Sequence, residues 1–168
     1  MIPDDFTGYF TATAAAAGVL IGLLFVAVSL RPETVFGDRA SPGARAQAGS
    51  AFTSLVNSFF VSLVALIPQA RLGEIAIIMA LVSVYSTVRL HRQVARQELH
   101  IVLLVLSTGS YLFQLAVGVN LILTPDDRGR VFSMCYLVIA SFAVALSRAW
   151  ALVQGRHLTA RPAAGRGQ

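Results

Sequence analysis

The chain alternates between five long apolar runs and short polar segments, and this pattern predicts a bundle of membrane-spanning helices. The runs cover residues 6–30, 49–67, 72–88, 99–123 and 131–153. An α-helix of about 20 apolar residues is roughly 30 Å long, which matches the hydrocarbon core of a bilayer. We therefore expect an all-α fold, a polytopic membrane bundle of five transmembrane helices.

The third run is the shortest, and whether it fully spans the membrane is left open by its length. Its uncharged part covers only residues 75–88, between Glu74 and Arg89. Such a helix crosses if the two charged side chains lie at the two interfaces, with Arg89 extending toward water. The alternative is a short helix that the rest of the protein shields from lipid.

Composition agrees with a membrane protein. The chain is 56% hydrophobic and only 12% charged, and its mean hydropathy is +0.71. No segment between the runs is long enough to form a second core. We expect one transmembrane domain over residues 1–154, followed by a disordered basic cytoplasmic tail over residues 155–168.

Charge in the connecting segments predicts the orientation. Ten arginines lie after runs one and three and at or after the end of run five, and three lie in the segments on the other side. Because arginine in short loops stays on the cytoplasmic side, the N-terminus is expected outside and the C-terminus inside. The net charge of +5 is explained in this way, so we expect no nucleic-acid partner.

Four arginines are assigned to the cytoplasmic membrane face: Arg89, Arg92, Arg96 and Arg148. They either set the orientation alone or also bind anionic lipid headgroups.

The second run carries a polar stripe. Serines recur at every fourth position, as Ser50, Ser54, Ser58 and Ser62, and Asn57 lies among them. Residues four apart share one face of a helix, so these side chains form a continuous line at membrane depth. The stripe is either a hydrogen-bonded contact between helices or the wall of a polar pathway.

The fourth run has a similar face, formed by Ser107, Ser110, Gln114 and Gly118. An amide in hydrocarbon is costly without a partner. Gln114 is therefore expected to face the bundle interior and to bond with Asn57 or the serines of the second run. Gly118 is expected to allow close helix packing.

The first run contains small residues at four-residue spacing: Ala14, Gly18 and Gly22. Small residues let helix backbones approach closely in lipid, where apolar contact alone gives no driving force. This face is interpreted as a contact within the chain, with a homodimer contact as the alternative. Ser54 and Ser58 are assigned to helix packing as well.

Chemistry-bearing residues are scarce inside the runs. No Asp, Glu or His lies in the interior of any run, which counts against a proton-coupled transporter. The three histidines are scattered and Cys135 is the single cysteine, so the sequence shows no metal-ligand cluster and permits no intramolecular disulfide. We expect no enzymatic activity and no cofactor.

Two segments carry a resemblance to a known family. Residues 14–30, AAAAGVLIGLLFVAVSL, and residues 64–69, VALIPQ, resemble the N-terminal part of a family of small bacterial integral membrane proteins. The resemblance covers the first two runs. It implies a bacterial inner membrane and no established activity or site residues.

The sequence favours a multi-pass protein that acts through helix association, with itself or with a membrane complex. The alternative is a small channel or carrier, lined by Ser50, Ser54, Asn57, Ser58 and Ser62. Further candidates for interhelical hydrogen bonds are Ser110 and Gln114.

Overall fold

The computed structural model describes residues 4–30, 32, 35, 37, 42–68, 71–91, 98–124 and 128–158, without the side chains of 4, 42, 91, 98–104 and 151–158. A short 3-10 helix, Asp4–Phe6, leads into α1. The five α-helices are α1 (Thr7–Ser29), α2 (Pro42–Ala65), α3 (Leu72–His91), α4 (Glu98–Leu123) and α5 (Arg128–Leu158). Each contains a segment long and apolar enough to cross a membrane. The predicted all-α, five-helix architecture is confirmed.

The observed helices are longer than several of the apolar runs. α3 has 20 residues, about 30 Å at 1.5 Å per residue, which is enough to span the hydrocarbon core. α2 begins at Pro42. Proline suits the first helical position because the backbone N–H that it lacks would have no partner within the helix there. α5 is helical to Leu158, beyond the predicted domain boundary at 154. The rest of the predicted tail, residues 159–168, lies outside the described residues.

The first connection is held by an arginine. Arg45, in the first turn of α2, donates from Nε to the carbonyl oxygen of Val35 at 2.9 Å and from Nη2 to that of Gly37 at 2.9 Å. Val35 is buried. Arg45 therefore folds part of this segment back onto α2, in addition to any role in orientation.

Helices α2, α3, α4 and α5 form a ring in which each packs against the next and α5 closes on α2. α1 lies outside this ring against α2 and touches α5 only weakly. The burial of the spans reflects this arrangement: 56% of the α2 span is buried and only 11% of the α1 span. The most buried of the five spans is thus that of α2, the helix with the serine stripe.

Neighbouring helices run antiparallel. Thr13 of α1 bonds Ser62 of α2, while Gly18, further along α1, lies beside Phe59, earlier in α2. Gly49 at the start of α2 lies beside Leu90 near the end of α3. We call the end of the bundle at which α1 begins the N-terminal end, and the end at which α5 finishes the C-terminal end.

The interior of the ring is divided into two halves. The N-terminal half is apolar, with Val61, Ala76, Val117, Leu121 and Met134 among its buried side chains. The other half is lined by buried polar side chains, with Asn57 and Gln114 near the boundary. Because the apolar half supplies ordinary packing, the polar half is the distinctive part of the core.

Candidate functional site

The polar half of the core begins with a paired amide. Asn57 Nδ2 donates to Gln114 Oε1 at 2.7 Å, and Gln114 Nε2 donates back to Asn57 Oδ1 at 3.0 Å. Gln114 Nε2 also lies 3.2 Å from the carbonyl oxygen of Ala76. Both amides are only 2% exposed. The predicted interior pairing is confirmed, and it joins α2 and α4 across the ring while also contacting α3.

One turn further toward the C-terminal end, Ser54 meets Tyr111. Their hydroxyl oxygens are 2.8 Å apart, and both side chains are buried. Ser54 Oγ is also 3.1 Å from the carbonyl of Ser50, so an arrangement in which Tyr111 donates to Ser54 satisfies both groups. Tyr111 was not among the predicted site residues. Its position one turn from Ser107 and three residues before Gln114 is the signal that places it on this face.

Arg148 lies inside the bundle and is not the surface-exposed membrane-face arginine that the sequence predicted. The residue is 2% exposed, and its Nη2 donates to Ser107 Oγ of α4. The reason is that residue 148 lies on the side of α5 that faces α4. It shares the buried face of α5 with Ser141 and Ala145.

The other predicted membrane-face arginines differ from Arg148. Arg89 is exposed near the end of α3, as expected for an interfacial position. Arg92 and Arg96 lie outside the described residues. Only Arg148 among the four is buried in the part of the chain that the structure describes.

The serine stripe makes several kinds of contact. Ser58 Oγ donates to its own helix, at the carbonyl oxygen of Ser54, 3.0 Å away. Ser62 Oγ is 2.9 Å from Thr13 Oγ1 of α1. Ser50 is buried, and its hydroxyl has no hydrogen-bond partner among the described residues. The candidate Ser110, on α4, bonds locally to the carbonyl of Ser107 at 2.8 Å and does not join the central network.

The small-residue face of α1 packs over only part of its length. Ala14 and Ala17 are buried, and a Cβ placed on Gly18 would lie 3.6 Å from Phe59 of α2. A Cβ placed on Gly22 would meet nothing within 4 Å. The interpretation of Gly22 as a contact within the chain is wrong, because α1 buries mainly its N-terminal half.

Gly118 packs tightly against α3, as predicted. A Cβ there would lie 3.0 Å from the carbonyl oxygen of Gly73 and 3.0 Å from Ile77. The contact is even closer from the other helix, since a Cβ on Gly73 would lie 2.7 Å from the carbonyl oxygen of Gly118. Gly73 was not among the predicted packing residues. The pair allows α3 and α4 to approach closely at the N-terminal end.

A shallow groove lies at the N-terminal end, outside the polar core. It has a volume of about 300 Å³ and is lined by Asp5, Phe6, Tyr9, Arg128, Phe132 and Cys135. Asp5 and Arg128 form an exposed ion pair at 3.7 Å, and Tyr9 donates to the carbonyl oxygen of Cys135 at 2.7 Å. These contacts join the start of α1 to the start of α5.

The chemistry available in the polar core is hydrogen bonding around a buried guanidinium. Among the described residues, no group of three or more His, Cys, Asp or Glu side chains could hold a metal ion.

In comparisons with known proteins, no family model, no curated protein and no solved structure matched the chain.

Proposed function

We propose that this chain is a non-enzymatic protein of the bacterial inner membrane that acts through helix association, with itself or with a membrane complex. The hydrogen bonding of the polar stripe within the bundle supports a packing role for these side chains over a transport pathway. Asn57, Ser54 and Ser62 bond to side chains of α4 and α1, and Ser58 bonds to its own helix. Side chains engaged in this way hold helices together, as polar groups in membrane bundles commonly do.

The same contacts weaken the case for a channel. A pathway along the stripe needs hydroxyls and amides that face a water-filled space. Here the amides of Asn57 and Gln114 bond to each other across the centre of the ring. Opening a path would break both hydrogen bonds at membrane depth, where they are not replaced without entry of water.

The outer face of α1 is the surface proposed for association. Only 11% of its span is buried within the chain, and Gly22 has open space around it. Gly22 is small and unpacked, so two parallel copies of α1 can approach closely at this residue. The partner proposed first is therefore a second copy of the chain.

The proposed orientation places the N-terminal end of the bundle outside and the C-terminal end in the cytoplasm. The excess of arginine in the segments at the C-terminal end supports it. Exposed Arg89 at this end is suited to bind anionic lipid headgroups.

Association is tested by replacing glycines that are open in the monomer. Gly22→Leu on α1 and Gly109→Leu on α4 are matched, because a Cβ at either position meets nothing within 4 Å. We expect the wild-type chain to cross-link as a dimer in liposomes, Gly22→Leu to cross-link several-fold less, and Gly109→Leu to behave as wild type.

Two results would count against this function. A wild-type chain that stays monomeric at high protein-to-lipid ratio, with no cross-linked product, contradicts self-association. Ion flux through liposomes containing that monomer would favour the channel alternative instead.

A further inference from the structure

The polar half of the core contains buried serine hydroxyls that make no hydrogen bond to any residue that the structure describes. Ser50 on α2 and Ser83 on α3 are each 1% exposed, and neither Oγ makes a hydrogen bond among the described residues. Leaving a buried hydroxyl unsatisfied costs free energy, so such groups point to a bound species that completes them.

The helix register brings these hydroxyls to one level, which here means the same position along the axis of the ring. Ser54 meets Tyr111 and Asn57 meets Gln114, so α2 and α4 run parallel in a fixed register. One turn before Ser54 and Tyr111, the same register pairs Ser50 with Ser107.

The antiparallel register of α3 and α4 leads to the same level. Gly73 lies against Gly118, and the carbonyl of Ala76 lies against Gln114. Continuing this register along both helices brings Ser83 beside Ser107. Ser107 accepts the hydrogen bond of Arg148 from α5. Each helix of the ring therefore supplies one polar side chain to this level.

We propose that this level, formed by Ser50, Ser83, Ser107 and Arg148, binds one small monovalent anion such as chloride. The guanidinium carries a permanent positive charge and several N–H donors. The unpartnered hydroxyls of Ser50 and Ser83 can each donate to an anion held on the axis of the ring. Serine side chains are small, which favours a monatomic or similarly compact ion.

The test is the dependence of thermal unfolding on the anion, measured on the full chain in detergent. Unfolding is compared in sodium chloride and sodium gluconate at equal ionic strength, since gluconate is too large for the level. A ligand that binds only the folded state raises Tm, by about 2–4 °C when chloride is at roughly five times its Kd.

The variant Ser50→Ala/Ser83→Ala removes only the two unpartnered hydroxyls. We expect it to fold, to unfold at or above the wild-type Tm in gluconate, and to lose the chloride-dependent rise. The matched control is Ser58→Ala, which removes a buried hydroxyl of the same stripe that bonds to its own backbone. It should keep the full chloride effect.

The site is contradicted by either of two results. Equal Tm of the wild type in chloride and gluconate would mean that the folded protein binds no chloride here. The two hydroxyls would then contact water or an empty space. A chloride effect of wild-type size in the double variant, or in both single variants, would place the anion elsewhere on the protein.

Discussion

At the level of single residues, the polar half of the core follows from the cost of leaving a polar group alone in apolar surroundings. Asn57 and Gln114 could be paired from the sequence because both amides fall near mid-membrane and each needs a partner. The carbonyl of Ala76, which Gln114 also reaches, could not be foreseen. It depends on the close approach of α3, which the sequence pattern does not specify.

Arg148 shows where residue-level inference from charge fails. An arginine near the end of an apolar run is ordinarily interfacial. Its burial depends on which face of α5 packs against the other helices, and charge at the end of an apolar run does not specify that face. The polar pattern of α5 does carry a signal, because Ser141, Ala145 and Arg148 lie on one face.

The amide pair gives a prediction at this scale. Asn57→Leu should lower the free energy of unfolding by about 1–2 kcal/mol, because it removes two hydrogen bonds and leaves Gln114 with only Ala76. Equilibrium unfolding in mixed micelles measures the change. Asn120→Leu is the control, since Asn120 bonds only locally, to the carbonyl of Ala116 at 2.9 Å.

A double-mutant cycle separates the pair from general packing. Asn57→Leu and Gln114→Leu should be non-additive, with the double variant less destabilised than the sum of the two singles. Full additivity would show that the two amides contribute independently, against the observed pairing.

At the level of helices, the spans follow from the apolar runs, while their packing faces follow only partly from small residues. Gly118 was assigned to packing and lies against Gly73, but Gly22 was assigned to the same role and has open space. Spacing alone does not separate these cases. The difference is that α4 belongs to the ring and α1 lies outside it.

Two glycines on α4 allow a packed and an open position to be compared on the same helix. Gly118→Ala should destabilise the bundle, because its Cβ would lie 3.0 Å from the Gly73 carbonyl oxygen and 3.0 Å from Ile77. Gly109→Ala, on an open face of the same helix, should be neutral or stabilising by up to about 1 kcal/mol through helix propensity. Thermal unfolding of both variants in one detergent measures the contrast.

An equal effect of the two alanines would contradict close packing of α3 against α4. Gly73→Ala provides an independent check from the other helix, because its Cβ would lie 2.7 Å from the carbonyl oxygen of Gly118. It should destabilise at least as much as Gly118→Ala.

At the scale of the whole molecule, the sequence predicts the number of spans and the charge asymmetry between the two ends. It does not predict that four helices form a ring with α1 outside, because helix order around an axis depends on contacts between distant residues. It also does not predict that the core divides into an apolar and a polar half. The N-terminal groove, built from the starts of α1 and α5, was missed for the same reason.

The charge asymmetry leads to a prediction about orientation. Single cysteines are introduced at positions 3, 95, 124 and 168 in a Cys135→Ala background, since Cys135 is the only native cysteine. In intact cells a membrane-impermeant thiol reagent should label positions 3 and 124 and spare positions 95 and 168. Permeabilised cells, in which all four positions should be labelled, provide the control. The physical reason is that the arginine-rich segments resist translocation across the membrane.

Labelling of position 168 in intact cells, with position 3 protected, would show the opposite orientation. Labelling of positions 3 and 168 together would mean that an even number of helices crosses, and the five-span bundle would then be wrong.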